Sequence, residues 1–569
     1  MHKVFRIVEL VDAIVEQVAE RDWTYYDDHR DHRYRTRPLA EGAKENVRAL
    51  GQVARSFRKP CLDANWYHGN GILELLFMVG AVEAIPDVRG RKSWELVHQL
   101  EQEDVSAVLF FSSRIQELVW DPEHSLDESA GDDMLLPLTP VVELFPRLRV
   151  LVFEGRFEPL DLLFVLDGTG SALTELRGIL DPELADGRLL TTIIQKRRDL
   201  VHLGLQWYRT ELPHTSEEGE DGTASWAARM TDMILQEAHN LSDLILDDKL
   251  SWLMSMWDRI PSHPNLTALS LSYCFEQSGV PPRGPACPMV YRSLIVMDIS
   301  VENSGDLTLI LENVKFTTLR TFRLELVRAN CGARNTLDTI VRCCATSPLK
   351  SLTIGLRKGV VRAKRSVLGP EDIRSLLNFR LEVLDIDAQW NWEMDLDEVL
   401  RDILRAWGPG LKVLHLDPNG NWSMSTPAHR ENLEMLAEVC QDMTNLGVQL
   451  DLSALVPIQS SDAHPRKNRN ESLKHLAVGW SRFVEGPGSL DVARYLSSIF
   501  PKLEQVIPAD FSNHADWEQP EGDKAAQQTA QDRWYEVWGY LAYGVVSLRK
   551  GPQTSTHEVG QSAVASSLN

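Results

Sequence analysis

The chain has 569 residues, of which 43% are hydrophobic and 25% charged, a composition typical of a globular protein with a sizeable core. Its 59 Lys and Arg residues stand against 82 Asp and Glu residues, which gives a formal net charge of −23 at pH 7. This charge argues against nucleic-acid binding, which depends on clustered positive charge, and it suits basic partners.

The seven cysteines include no Cys-x-x-Cys pair, so the sequence predicts neither a zinc knuckle nor a disulfide framework. We expect reduced thiols, mostly in a core. The most apolar stretch, residues 72–85, is shorter than a membrane span and contains two glutamates. Glu9 and Asp12 interrupt the first apolar run, so no secretory signal is predicted. We therefore expect a cytoplasmic or nuclear protein that does not interact with membranes.

The first 70 residues are predicted to form a helical module. Residues 7–18, "IVELVDAIVEQV", carry apolar side chains at helical spacing, and a charged loop follows at about 20–45. A second helix is predicted to begin near Lys44. Pro60 is predicted at the first position of a third helix, where its missing N–H does no harm. A helical connector and N-terminal cap are predicted over 71–114.

A Leu-x-x-Leu-x-Leu pattern dominates the region 115–508, with a mean spacing of about 30 residues. Nine clear copies start at Leu148, Leu200, Leu241, Leu266, Leu319, Leu349, Leu381, Leu411 and Leu473. Weaker copies start at Ile115, Leu173, Leu294, Leu446 and Leu503, which makes about 14 in all. The longest gap contains the acidic run at 214–222, which is predicted to be a solvent loop.

Helical patterns lie between the copies, and residues 396–407, "LDEVLRDILRAW", show six apolar side chains on one face. Each repeat is therefore predicted to be a helix, a turn and a short strand. One such unit cannot bury its apolar face alone, whereas stacked units bury a continuous core. The first, fourth and sixth positions of each copy are predicted to point inward, and the intervening residues outward.

The aromatic stretch 533–548 is predicted to be a helix that covers the last repeat, within a C-terminal cap at 509–550. Residues 551–569 are polar and small, and we expect them to be disordered.

These repeats resemble leucine-rich repeats. The resemblance implies an α/β fold, an irregular horseshoe-shaped solenoid with short parallel strands on its concave face and helices on its convex face. Side chains pointing outward from the strands are the candidate contacts of a protein substrate. The preferred candidates are His202, Gln206, Trp207, Arg320, Arg323, Asp385, His415 and Trp480; further outward positions are Glu325, Lys350, Asp387, Lys412, Asp417 and His475.

The N-terminal module resembles the F-box. Residues 7–18 are similar to the first helix of that family, and "VRALGQVARSFRKPCLDANW" at 47–66 is similar to its second and third helices. The chain departs from the family in Val8, which replaces a proline, in the long first linker, and in Phe57, which replaces a common tryptophan. The resemblance implies adaptor contacts at Ile7, Leu10, Val11, Ile14, Leu50, Val53, Phe57 and Trp66.

An F-box followed by leucine-rich repeats implies the substrate-recognition subunit of a Skp–cullin–F-box ubiquitin ligase. The expected partners are a Skp adaptor, through it a cullin, and an unknown protein substrate. An alternative is a leucine-rich-repeat binding scaffold in which the F-box-like module serves only as a cap, and in either case the apolar candidates can be core residues.

An enzyme is the third possibility, and no motif supports it. "DGTGSA" at 167–172 lacks the lysine of a phosphate-binding loop and is predicted to be a turn. His29 and His32 lie among aspartates in a charged stretch. A metal site needs ligands held in a fixed geometry, which exposed charged loops seldom provide. We therefore predict no catalytic residue, no cofactor and no metal.

Overall fold

The structure is a computed structural model. It describes residues 2–19, 24–25, 35–36, 39–53, 55–86, 92–98, 100–120, 144–153, 169–180, 195, 197–207, 234–246, 260–272, 285, 287–327, 332–356, 366–388, 390–419, 428–452, 469–479, 481, 488–508 and 521–544. The acidic run at 214–222, His29, His32, Trp480 and the predicted tail at 551–569 lie outside these residues.

Residues 234–237, in the first half of the chain, are helical. The helices whose two ends are described lie at both ends of the chain and between strands in its second half. They are α1 (His2–Val18), α2 (Glu41–Val53), α3 (Arg55–Asn65), α4 (Ile72–Met78), α5 (Gln102–Ser112), α6 (Ser304–Leu311), α7 (Ala333–Cys344), α8 (Pro370–Leu376), α9 (Leu396–Trp407), α10 (Arg430–Val439), α11 (Ser489–Ile499) and α12 (Glu521–Gly539).

The described strands are short. They are β1 (Thr24–Tyr25), β2 (Arg35–Thr36), β3 (His68–Gly69), β4 (Val82–Pro86), β5 (Lys92–Leu96), β6 (Glu117–Trp120), β7 (Val150–Phe153), β8 (Glu175–Leu180), β9 (His202–Trp207), β10 (Asp243–Leu246), β11 (Ala268–Ser272), β12 (Met289–Tyr291), β13 (Val296–Val301), β14 (Val314–Phe316), β15 (Thr321–Leu326), β16 (Ser351–Leu356), β17 (Val367–Leu368), β18 (Val383–Asp387), β19 (Asn391–Trp392), β20 (Val413–Leu416), β21 (Asn445–Gly447), β22 (His475–Gly479) and β23 (Gln505–Pro508).

The protein is a mixed α/β fold with a large parallel sheet of 15 strands, an arrangement compatible with a solenoid-like fold. The chain divides into two compact units. The first comprises Met1–Ser300 and Leu309–Thr318, and the second comprises Val301–Thr308 and Leu319–Asn569.

The first unit begins with a helical module. Helices α1, α2 and α3 pack against one another around a small core that includes Val15, Ala43, Val47 and Cys61. The alternation of buried and exposed residues along α1 and α2 is that of amphipathic helices, so the predicted module is helical as expected.

Two helix boundaries differ from those predicted. The second helix begins at Glu41, before Lys44, and α3 begins at Arg55, so Pro60 lies inside it. The prediction for Pro60 was wrong because it used the local preference of proline alone. Burial of the next residue, Cys61, in the three-helix core places the proline in the second turn of α3. There it removes one backbone donor.

The connector is also less helical than predicted. Between α4 and α5, strands β4 and β5 form an antiparallel pair, with Val82 opposite Leu96 and Pro86 opposite Lys92. The sheet itself begins before the first predicted repeat, because His68 of β3 pairs with Glu117 of β6.

Strands β6 to β11 and β13 of the first unit then pair side by side in one parallel register. The fourth motif position is always opposite its counterpart, as Leu118, Leu151, Leu176 and Leu203 show. Such parallel strands need long crossovers, which the repeat spacing provides.

The second unit repeats this arrangement with helices in the crossovers. Leu352, Leu384, Leu414, Leu446 and Leu476 are aligned across β16, β18, β20, β21 and β22. Leu446 is therefore the fourth residue of its repeat, and the predicted start at Leu446 was wrong by three residues: the repeat starts at Met443, a buried residue that the leucine pattern did not include. Helices α7, α8 and α9 each pack against the helix that follows in the chain. The six apolar side chains predicted on one face of α9 are all buried, which confirms that face.

The inward positions of the motif are confirmed. In all nine clear copies the first, fourth and sixth residues are buried, with exposed fractions of 3% or less. At the end of the second unit, α12 lies against α11 and the last strand β23, and it buries Trp534 and Val537. Residues 509–520 and 545–550 of the predicted C-terminal cap lie outside the described residues.

Candidate functional site

The first candidate surface is the helical module, where the structure divides the predicted adaptor residues. Leu10, Ile14 and Val53 are exposed, at 60%, 37% and 74%. Leu10 and Ile14 lie one turn apart on α1, and Val11, the residue after Leu10, is buried. The helix therefore presents an apolar strip to solvent in addition to its buried stripe.

The other predicted adaptor residues are engaged inside the module. Leu50 and Phe57 are partly buried against the three-helix core. Trp66 is buried, and its ring centroid lies 4.8 Å from that of Phe111 on α5. The side chain of Ile7 lies outside the described residues.

A second group of exposed apolar side chains in this region was not predicted from the sequence. Phe77 and Met78 at the end of α4, Val97 after β5, and Phe110 on α5 are each about half exposed. The guanidinium of Arg114 lies 3.9 Å from the ring centroid of Phe110 and forms an ion pair with Asp63 at 3.0 Å. The run "LLFM" at 75–78 indicated this group in the sequence. Four consecutive apolar residues cannot all lie on the buried face of one helix, so two of them remain exposed.

The second candidate surface is the open face of the sheet, formed by the strand residues that alternate with the buried leucines. In the first unit His202 lies between Glu175 and Asp243 on neighbouring strands. Its Nδ1 is 3.5 Å from a carboxylate oxygen of Asp243. The hydrogen bond to Asp243 is the largest cause that raises the pKa of His202; desolvation opposes it, and Glu175 adds to it.

In the second unit the open face carries a ladder of paired charges. Lys350 and Lys412 both bind Glu382, at 2.5 Å and 2.8 Å. These two hydrogen bonds, first that of Lys350, lower the pKa of Glu382 to about 2. Lys474 lies 3.5 Å from Glu504 in the same row. These ion pairs hold the charged side chains in a row just before the first residues of the strands.

A second row of the same face carries the predicted substrate residues Arg323, Asp385 and His415. Arg323 and Arg320 are exposed. Asp385 Oδ1 lies 3.1 Å from His415 Nδ1, so the two predicted residues form a pair. The strand β9 includes Gln206 and Trp207, but their side chains lie outside the described residues.

Asp417 corrects one prediction. Its side chain was predicted to point outward, but it is fully buried. The chain turns at this residue with φ of 47°, and its Oδ2 accepts hydrogen bonds from the backbone N–H of Trp390 at 2.7 Å and from Trp392 Nε1 at 3.1 Å. The run "DPNG" at 417–420 was a turn signal that the strand-based prediction overlooked.

The run at 167–172 and the cysteines are the features that bear on enzymatic chemistry. Thr169 of the run at 167–172 forms an isolated bridge with Phe145, and residues 171–172 form a turn, as predicted. Cys61, Cys343, Cys344 and Cys440 are buried free thiols, whereas Cys287 is exposed. Burial raises the pKa of the Cys440 thiol to about 12, which leaves it protonated and unreactive.

Within the described residues, no three His, Cys, Asp or Glu side chains are grouped as metal ligands. The helices of the described part are all too short or too polar to cross a membrane. Comparison with known proteins gave no match to any family model. No curated protein matches the chain either.

Proposed function

We propose that this chain is the substrate-recognition subunit of a Skp–cullin–F-box ubiquitin ligase. The exposed strip on α1 carries the proposal. A helix that already buries Val11 and Val15 has no structural need to present Leu10 at 60% exposure. Exposed apolar side chains of this kind in a module resembling an F-box suit an adaptor surface.

The sheet provides the second half of the proposal. Its exposed residues include many charged side chains, and they are held in register by strands that resemble leucine-rich repeats. A rigid face of this kind can hold one protein substrate while the module holds the adaptor. The chain then makes no bond itself, and it raises the effective concentration of a substrate lysine near the ubiquitin-carrying enzyme.

The alternative is a binding scaffold in which the module is only a cap. The burial of Trp66 against Phe111 favours it, because the residue implied as an adaptor contact already has an internal partner. Adaptor binding separates the two functions.

The test is a titration of the purified full-length chain with a purified Skp-type adaptor by calorimetry. We expect a dissociation constant at or below the micromolar range, and at least about tenfold weaker binding for Leu10→Asp and Val53→Asp, which place a charge in an apolar contact.

Val367→Asp is the matched control, because Val367 is an aliphatic residue of similar exposure in the second unit. Circular dichroism and thermal melting check that all three variants fold. No binding at tens of micromolar adaptor rejects the proposal, and so does equal weakening by the control.

A further inference from the structure

The outer side of α12, the helix of the C-terminal cap, carries exposed aromatic side chains. Trp534 and Val537 form the buried side of this helix, whereas Tyr535 is 49% exposed and Trp538 is 37% exposed. A helix that ends a stack of repeats ordinarily turns polar residues to solvent, because no further repeat covers it. Packing against the last repeat therefore explains the two buried residues and leaves the two outer rings unexplained.

The two outer rings are neighbours on the helix surface and do not stack on each other. Tyr535 and Trp538 are three residues apart, which places their Cβ atoms roughly 5–6 Å from one another. Within the part of the chain that the structure describes, neither side chain has a hydrogen bond or a ring contact. The faces of both rings are therefore available to a ligand.

Gly539 leaves open space beside both rings. It is the last residue of α12, one position after Trp538 and four after Tyr535. A side chain here would lean toward the start of the helix and lie over the turn that contains Tyr535. A Cβ on Gly539 would have nothing within 4 Å, and its φ is not positive, so neither packing nor the backbone requires a glycine. We call this space, with its two aromatic walls, the Gly539 notch.

Two carboxylates lie at the rim of the Gly539 notch. Asp532 is three residues before Tyr535, and Glu536 is the residue after it. Asp532 accepts a hydrogen bond from Gln528 Nε2 at 2.9 Å, and Glu536 accepts one from Ser489 Oγ at 2.7 Å. Both donors are neutral, so these contacts leave the two negative charges uncompensated.

The basic residues of this region do not cancel that charge at the notch. Arg533 is two residues before Tyr535, which places it roughly 160° away around the helix axis, and it already has a partner. Arg494 on α11 is paired with Asp491 at 3.6 Å. Lys524 lies about 16 Å before Tyr535 along the helix, and the last turn of α12 contains no basic residue. The rim of the notch is therefore negative.

Aromatic walls with a negative rim select a cation. The face of a Trp or Tyr ring attracts a cation electrostatically, and a nearby carboxylate adds to that attraction. An anionic ligand would be repelled by the rim, and an apolar one would gain nothing from it. The methylene stem of lysine or arginine can cover a ring while its charged head stays at the rim.

We infer that the Gly539 notch binds a lysine or arginine side chain of a partner protein. The stem of that side chain lies against Tyr535 and Trp538, and its charge lies beside Asp532 and Glu536. This site is separate from the adaptor strip and from the open face of the sheet, so it does not depend on the proposed function.

The test uses heptapeptide mixtures that carry a neutral fluorophore. Their central residue is arginine, lysine, citrulline or norleucine, and the other positions are random Ala, Gly and Ser. Fluorescence anisotropy measures binding to the full-length chain at physiological ionic strength, which screens long-range attraction. We expect the arginine and lysine mixtures to bind at least about fivefold tighter than the neutral ones, the gain from one partly exposed contact between a cation and an aromatic face.

Gly539→Leu is the decisive variant, because leucine fills the notch, keeps every charge and favours the helix. Trp538→Leu removes one aromatic wall and keeps an apolar side chain. Gly42→Leu is the matched control, since Gly42 is also an exposed helical glycine with nothing within 4 Å of an added Cβ. The preference for charged peptides should disappear in the first two variants and persist in the third, and circular dichroism checks that all three fold.

Equal binding of charged and neutral mixtures, or no binding of any mixture at about 0.3 mM of the chain, would overturn the inference. A preference that survives both Gly539→Leu and Trp538→Leu would assign it to net charge and would overturn the notch as well. So would an equal loss in Gly42→Leu, or tighter binding of norleucine than of lysine, which would indicate a purely apolar contact.

Discussion

Asp417 shows how one residue can fix a loop in this protein. It is the one non-glycine residue with positive φ among those described, and its buried carboxylate binds the main chain at Trp390 and the indole of Trp392. Aspartate tolerates this conformation better than most residues. The residue therefore connects the end of β20 to the segment after β18.

We expect Asp417→Ala to lower the free energy of unfolding by about 2–4 kcal/mol, because two buried donors lose their acceptor and alanine disfavours the positive φ. Asp417→Asn should cost about half as much, since its amide oxygen can still accept. Urea denaturation followed by tryptophan fluorescence measures both. An alanine variant as stable as the wild type would contradict this role.

His202 gives a prediction about pH. Its pKa is raised in the folded chain, chiefly by the hydrogen bond to Asp243, so the folded state holds the proton more tightly than the unfolded state. The resulting stability is fully present below the ordinary pKa of 6.5 and is lost as the pH rises through the raised value. Asp243→Asn should therefore destabilise the protein at pH 5.5 and have little effect at pH 8.5. Denaturation midpoints at the two pH values test this, and a pH-independent difference would rule it out.

At the scale of elements, the end of a strand can pack closely against the loop of a preceding repeat. Gly479, the last residue of β22, has φ of 50°, and a Cβ on it would lie 1.8 Å from the carbonyl oxygen of Pro418. Gln449 Nε2 donates to the same oxygen at 3.0 Å. The loop after β20 thus packs against the two following repeats.

Gly479→Ala should lower the free energy of unfolding by about 2–3 kcal/mol, through the unfavourable φ and the contact with Pro418. Gly410→Ala is a suitable control, because nothing lies within 4 Å of a Cβ there and its φ is ordinary. Comparable thermal stabilities for the two variants would contradict this prediction, because they would show that the loop at Pro418 moves away from an added Cβ at little cost.

The elements also show what could be predicted. Strand positions and buried leucines followed from the spacing of the motif, because burial on one side of a strand enforces the alternation. The position of Pro60 within α3 was not predicted, because tertiary packing determines where that helix begins. The β4–β5 pair was not predicted either, because its residues show no marked alternation of apolar and polar side chains. The pair of Asp385 with His415 joins residues 30 positions apart, so only the strand register reveals it.

At the scale of the whole molecule, the two candidate surfaces are the exposed apolar side chains of the first helices and the charged outward residues of the strands. The sequence predicted that both surfaces exist. It did not predict which members of each set are exposed, since Leu10 and Val11 are neighbours of equal hydrophobicity with opposite burial. Exposure depends on how α1 packs on α2 and α3.

The most direct test of the proposed function is affinity purification of the tagged full-length chain from cells, read by mass spectrometry, in which the wild type is compared with the Leu10→Asp variant. We expect the Skp adaptor and a cullin to co-purify with the wild type and to be depleted at least about tenfold with Leu10→Asp, because the charge disrupts an apolar contact. Recovery of adaptor and cullin at equal levels from both, or from neither, would contradict it.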